Sequence, residues 1–103
     1  MLKGQWQPAT IDDVDVLVQL MQQFYVEEQL LFCPQQARNS AEEILSHPVY
    51  GTVLFLQLNG KVAGYVIATF GYSLEFGGRF VLVDELYIKV DARGKGEGKR
   101  ALV

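Results

Sequence analysis

Cysteine is nearly absent from this sequence, with Cys33 the single representative. One thiol forms no internal disulfide, and no Cys/His pairs stand at metal-ligand spacing, so a disulfide scaffold and a structural zinc site are both excluded. Apolar runs are short. No stretch approaches the ~20 consecutive apolar residues of a membrane span, and the opening Met1-Leu2-Lys3-Gly4-Gln5-Trp6 lacks the apolar core of a signal peptide. These absences predict a soluble protein in a reducing, cytoplasmic compartment. A basic excess is lacking too: nine Lys plus Arg against twelve Asp plus Glu leave a formal charge of −3, which argues against a general nucleic-acid surface. Repeats, low-complexity tracts and interdomain linkers are missing, so residues 1–103 are expected to form one domain.

Half of the residues are hydrophobic, enough for a core. Residues 4–8 predict a short edge strand, with Pro8 at its end where a missing N–H is tolerated. Thr10 is placed to cap a helix whose first turn carries Asp12 and Asp13 against the positive end of the dipole. Val14, Leu17, Val18, Met21, Phe24 and Tyr25 then recur at helical spacing, predicting one core-facing stripe on a helix reaching about Glu28. Residues 30–39 read as a loop broken by Pro34. Ser40-Ala41-Glu42-Glu43 reads as a capping box opening a short helix to about Leu45, which His47-Pro48 ends.

From Thr52 the period changes. Residues 52–58 and 61–70 flank Asn59-Gly60, a type I′ hairpin signal, and Gly77-Gly78 marks the turn into a further strand. Residues 80–90 predict a long, mostly buried strand. The run that follows, Arg93-Gly94-Lys95-Gly96-Glu97-Gly98-Lys99-Arg100, combines three glycines with four cations. Alternate glycines admit close backbone approach, and a helix start presents unpaired N–H groups and the positive end of its dipole, which suits a pyrophosphate. Two familiar phosphate loops fail here. A G-x-G-x-x-G fingerprint needs glycine where Lys99 stands, and a Walker loop needs four residues between its glycines where Gly94 and Gly98 enclose three.

The pattern [Q/R]-x-x-G-x-[G/A] is met by Arg93, Gly96 and Gly98, and it resembles the acetyl-CoA motif of the GNAT superfamily of N-acetyltransferases. Trp6-Gln7-Pro8-Ala9-Thr10 and the hairpin order extend the resemblance over nearly the whole chain. Phe70-Gly71-Tyr72-Ser73, Gly77-Gly78-Arg79 and Val83-Asp84-Glu85-Leu86-Tyr87-Ile88 look most like the diamine branch, which includes spermidine/spermine N-acetyltransferases. The resemblance implies an α/β (α+β) fold, largely antiparallel sheet with helices packed on it. It implies that backbone amides of Leu86, Tyr87 and Ile88 hold the pantetheine arm of acetyl-CoA. The pyrophosphate falls to the amides of Arg93, Gly94, Lys95, Gly96, Glu97 and Gly98, with Lys99 beside them.

Amine acetylation needs a base, because an alkyl ammonium has a reference pKa near ~10.4. Asp84 and Glu85 are the candidate catalytic carboxylates. Strand alternation lets only one of them face the acceptor; the diamine resemblance favours Asp84, while Glu85 has the longer reach. The alternative for both is an ordinary carboxylate at a strand end or bulge. Glu27 and Glu28 read as a solvated helix end, or as an attraction for a cationic acceptor. Tyr72 and Tyr87 read as packing residues or the lining of an amine tunnel, His47 as a helix-end or surface residue, and Cys33 as a buried or incidental thiol.

Measured against the family, the chain stops at Val103, a few residues into the helix supporting the pyrophosphate loop, and the usual tyrosine general acid would lie beyond it. The resemblance therefore implies the N-terminal part of the fold, with two functional expectations. One is acetyl transfer from acetyl-CoA to a small primary amine such as a polyamine; the other is an inactive remnant serving as an oligomeric or CoA-binding module. Surface exposed by truncation implies a homo-oligomer, with no metal, nucleic-acid or membrane partner expected.

Overall fold

A computed structural model describes residues 4–93. The chain opens with strand β1 (Gln5–Pro8), passes a 3-10 turn at Ile11–Asp13, and enters helix α1 (Val14–Glu27). Helix α2 (Pro34–Ser46) follows, then strands β2 (Gly51–Leu58), β3 (Lys61–Ser73) and β4 (Gly78–Ile88), and a 3-10 turn at Val90–Ala92. The four strands form one antiparallel sheet in the order β1-β2-β3-β4.

Local chemistry accounts for most of these elements. The Asp13 carboxylate accepts the Thr10 backbone N–H at 2.7 Å, satisfying a donor at the start of the helical segment. Asn59 and Gly60 both have positive φ, 55° and 76°, as a type I′ turn between β2 and β3 demands. Pro8 is the last residue of edge strand β1, as expected.

The start of α2 departs from the sequence reading. The helix begins at Pro34, six residues before Ser40, and Cys33 is its extended N-cap. Proline at the first helical position removes only a donor that has no intrahelical acceptor, so here it starts the helix. The Ala37 N–H donates to the Cys33 carbonyl at 3.0 Å, and Gln35 bonds Asn39 one turn on at 2.9 Å. Buried Ala37 and Ala41 then continue to half-buried Ile44 and Leu45 as one stripe.

Both helices pack on one face of the sheet. Val14, Leu17, Leu20 and Met21 of α1 meet Ala37 and Ala41 of α2 over Val53, Phe55, Tyr65, Ile67 and Tyr87. The opposite face carries a smaller cluster of Leu56, Ala63 and Ala92, with Trp6, Leu58 and Ile88 against it. The turn at Val90–Ala92 therefore takes the chain from β4 to the face away from the helices.

Strand β4 is not the mostly buried strand that its composition predicts. Phe80, Val81, Leu82 and Val83 are 42, 62, 57 and 45% exposed, and Tyr87 alone in the strand is buried. Among the described residues β4 pairs only with β3, and the helical layer reaches only its C-terminal half. An apolar run reports what a segment would bury, and cover by another layer decides whether it does.

Candidate active site

A cavity of about 620 Å³ lies between the helices and the sheet, with Tyr25, Phe32, Cys33, Tyr50, Ile67, Asp84 and Glu85 in its wall. Its sheet side is shaped by an irregularity in β4. The register runs Ile67↔Glu85 and then Ala68↔Val83, so Asp84 is an extra residue with no cross-strand partner of its own. Such a bulge breaks strict alternation. Asp84 and Glu85 accordingly both line the cavity, contrary to the expectation that only one would face it.

The two carboxylates have different surroundings. Glu85 is half-buried and accepts a hydrogen bond at each oxygen, from the Tyr65 hydroxyl on Oε1 and the Tyr25 hydroxyl on Oε2, both at 2.7 Å. Two phenol donors, one on each oxygen, fix the orientation of this carboxyl group. Asp84 is exposed, and among the described residues its carboxylate has no hydrogen-bond or ion-pair partner. Tyr25 packs edge-on against Phe32 at 5.4 Å and against Phe24 at 5.6 Å, which holds its hydroxyl towards the sheet.

The phenols respond to these anions. The hydrogen bond to Glu85, with burial next, pushes Tyr25 up to about 12. Burial, aided by the same carboxylate, raises Tyr65 further. Burial and the bond to Glu27 push Tyr87 up to about 12. All three are protonated donors at neutral pH, since the phenolate would have to form beside a carboxylate.

The expected cofactor residues divide by geometry. The Lys89 N–H donates to the Ala63 carbonyl at 2.8 Å, and bonded pairs alternate along an antiparallel ladder. Following the register Tyr65↔Tyr87, the Tyr87 amide belongs to the β3 ladder, while the amides of Leu86 and Ile88 turn to the outer edge of β4. The resemblance gave all three amides to the pantetheine arm; Tyr87 contributes its side chain to the fold instead. The Arg93 amide faces the Val90 carbonyl at 3.4 Å, so it too has an internal acceptor. Gly94, Lys95, Gly96, Glu97, Gly98 and Lys99 lie outside the described residues.

Several assignments shift once partners are visible. Glu27 is not merely a solvated helix end: it accepts from the Tyr87 hydroxyl and from Arg93, and these donors hold its carboxyl below the usual carboxylate range. Cys33 is exposed, at the cavity wall. Tyr72 is exposed and outside that wall. His47 closes α2, its Nδ1 3.1 Å from the Glu43 carbonyl. Tyr65 escaped the sequence reading, and Tyr25 stood there only as part of a stripe. A phenol that is buried needs an acceptor, which was the available signal, but the acceptor is 20 residues away for Tyr65 and 60 for Tyr25.

No protein-family model and no curated protein matches the sequence. Solved structures do. The chain is 36% identical to an integron cassette protein from the mobile metagenome of Cole Harbour Salt Marsh, with a TM-score of 0.91 over 95% of this chain and 64% of that one. A predicted acetyltransferase from Clostridium acetobutylicum, solved with acetyl-CoA, superposes at a TM-score of 0.81 and 14% identity, over 96% of this chain and 68% of its own. A GNAT family acetyltransferase of Staphylococcus aureus gives 0.73 and 17%, over 98% of this chain and 73% of its own. The chain thus spans less than two thirds of the first of these proteins. A meander of four antiparallel strands with two helices on one face, shared with these enzymes over nearly its whole length, gives this chain the GNAT acetyltransferase fold.

Proposed function

We propose that this site transfers acetyl from acetyl-CoA to a small primary amine, of the polyamine class that the diamine-branch resemblance indicates. One observation carries the reading. The bulge at Asp84 sets two carboxylates on the wall of a cavity, immediately before a strand edge that turns the Leu86 and Ile88 amides outward. Paired carboxylates suit a cationic acceptor, and edge amides that meet no strand among the described residues suit the carbonyls of an extended acyl-carrier arm.

The residues fit the group at that end. Leu86 and Ile88 would hold the arm through their N–H donors, and the pyrophosphate falls to the glycine run from Gly94 to Lys99, beyond the described residues. When bound, acetyl-CoA supplies an acetyl group activated as a thioester.

The chain's own residues handle the proton. Glu85, locked by Tyr25 and Tyr65, attracts and orients the ammonium without moving. Asp84, free of protein donors among the described residues, accepts the ammonium proton directly or through water. Entry into a cavity walled by Phe32, Tyr50 and Ile67 strips water from the amine, which offsets the hold of the two carboxylates on its proton.

Calorimetric titration with acetyl-CoA, followed by thiol release with spermidine and with lysine analogues, tests the proposal. Binding and spermidine-dependent turnover are expected. Binding without turnover on any amine would instead select a CoA-binding module, and no binding at all would reject the acetyl-CoA reading.

A further inference from the structure

Arg93 opens the cation-rich glycine run, yet its guanidinium points back into the fold. Nε donates to the Ile88 carbonyl at 2.6 Å, Nη2 donates to Glu27 Oε1, and the guanidinium carbon lies 5.7 Å from the centre of the Tyr87 ring. The other oxygen of Glu27 accepts from the Tyr87 hydroxyl. One carboxylate at the end of α1 thereby joins the end of β4 to the residue from which the glycine run departs.

An exposed ion pair contributes little to stability, and Arg93 and Glu27 are both partly exposed, at 45 and 38%. Geometry is what this one supplies. The planar guanidinium uses two of its donors on acceptors from two different elements while an aromatic ring lies beneath it, so its plane and position are defined. Tyr25, two residues before Glu27 in the same helix, donates to Glu85 in the cavity wall. The last turn of α1 therefore touches the acceptor side through Tyr25 and the start of the cofactor loop through Glu27.

We infer that Glu27 is a positioning residue for the cofactor: it holds Arg93, the first residue of the pyrophosphate motif, against β4 before acetyl-CoA arrives. The inference rests on the acetyl-CoA reading above. It makes a prediction opposite in sign to simple charge. Replacing Glu27 by glutamine removes a negative charge next to a site for a polyanion, which on electrostatics alone tightens binding. Loss of preorganisation weakens it.

Calorimetric titration with CoA compares the wild type with Glu27→Gln, Glu27→Asp and Glu75→Gln, the last making the same charge change in the exposed turn before β4. Glu27→Gln is expected to bind CoA about tenfold more weakly, Glu27→Asp to recover part of the loss, and Glu75→Gln to stay within about twofold of wild type. In turnover, the KM for acetyl-CoA rises while kcat changes little. Tyr87→Phe keeps the ring and removes only the hydroxyl donor to Glu27; it is expected to weaken binding about threefold, and it serves if Glu27→Gln does not fold. Wild-type affinity or tighter in Glu27→Gln, or in Tyr87→Phe where that variant stands in, overturns the positioning role alone. Failure of the wild type to bind CoA overturns the acetyl-CoA reading and this inference with it.

Discussion

The two halves of β4 have nearly the same apolar character and opposite fates. Phe80 to Val83 stand in the open, while Glu85, Tyr87 and Ile88 are built into the cavity, the helical core and the Arg93 network. The division falls at Asp84, where the bulge interrupts the pairing with β3. On one side the strand is an uncovered edge; on the other each residue has a task. Tyr87 buries its ring and binds Glu27, Glu85 gathers two phenols, and Leu86 and Ile88 present amides outward. Exposed β4 residues thus measure where the helical layer stops, and the site forms at that boundary.

The strongest way to break this contrast is at the bulge itself. Asp84→Asn keeps the shape and removes the proposed proton acceptor, so kcat for amine acetylation is expected to fall about a hundredfold or more, with little change in the urea midpoint. A loss of less than about threefold would move the base to another group. Leu82→Asn, in the exposed half, is expected to leave kcat untouched.

Two glycine variants separate the halves through stability. A Cβ at Gly64 would sit 2.4 Å from the Tyr87 carbonyl oxygen and 3.0 Å from the Ile88 Cα, so β3 and β4 would have to part at the site. Gly64→Ala is expected to cost about 1–3 kcal/mol or more in urea unfolding. At the other end of β4 a Cβ on Gly78 meets nothing within 4 Å, and Gly78→Ala should stay within about 0.5 kcal/mol. Equal costs would show the two ends to be packed alike.

Tyr65→Phe removes one of the two donors to Glu85, leaving half of a part-buried carboxylate unpaired. Its expected cost is about 1–3 kcal/mol of stability, with a raised KM for the amine as Glu85 loses its fixed orientation. An unchanged KM would make Glu85 purely structural.

The smallest effect is a pH dependence. The folded state holds the protons of Tyr25 and Tyr87 more tightly than the unfolded chain does, at about 12 against 10.0. The stability they contribute is therefore complete below pH 10 and is lost as pH rises from 10 towards 12. Tyrosinate absorbance of the native protein should show a late phase near 12. A single step near 10, completed before unfolding, would dissolve the proposed phenol–carboxylate network.

Much of the fold was legible because it rests on short-range signals. Asn59-Gly60 announced its hairpin, the stripe from Val14 to Phe24 announced α1, and Pro8 marked an edge strand. Pro34 misled, because the same residue that breaks a helix interior also starts a helix at its first position. The site was legible in part. Asp84 and Glu85 stood out as two acids in an apolar strand, but the bulge that turns both into one cavity depends on register with β3. Glu27 looked solvated because its partners, Tyr87 and Arg93, lie 60 and 66 residues further along.

What this sequence determined by itself is the run of helices and hairpins and the residue types its chemistry draws on, since turn conformations, caps and apolar periodicity act within a few residues. Only the tertiary structure decided which acids share a wall, which amides turn to the outer strand edge, and where Arg93 is anchored. Those outcomes depend on distances between elements far apart in the chain, and a strand's pairing register and the reach of its covering layer set them.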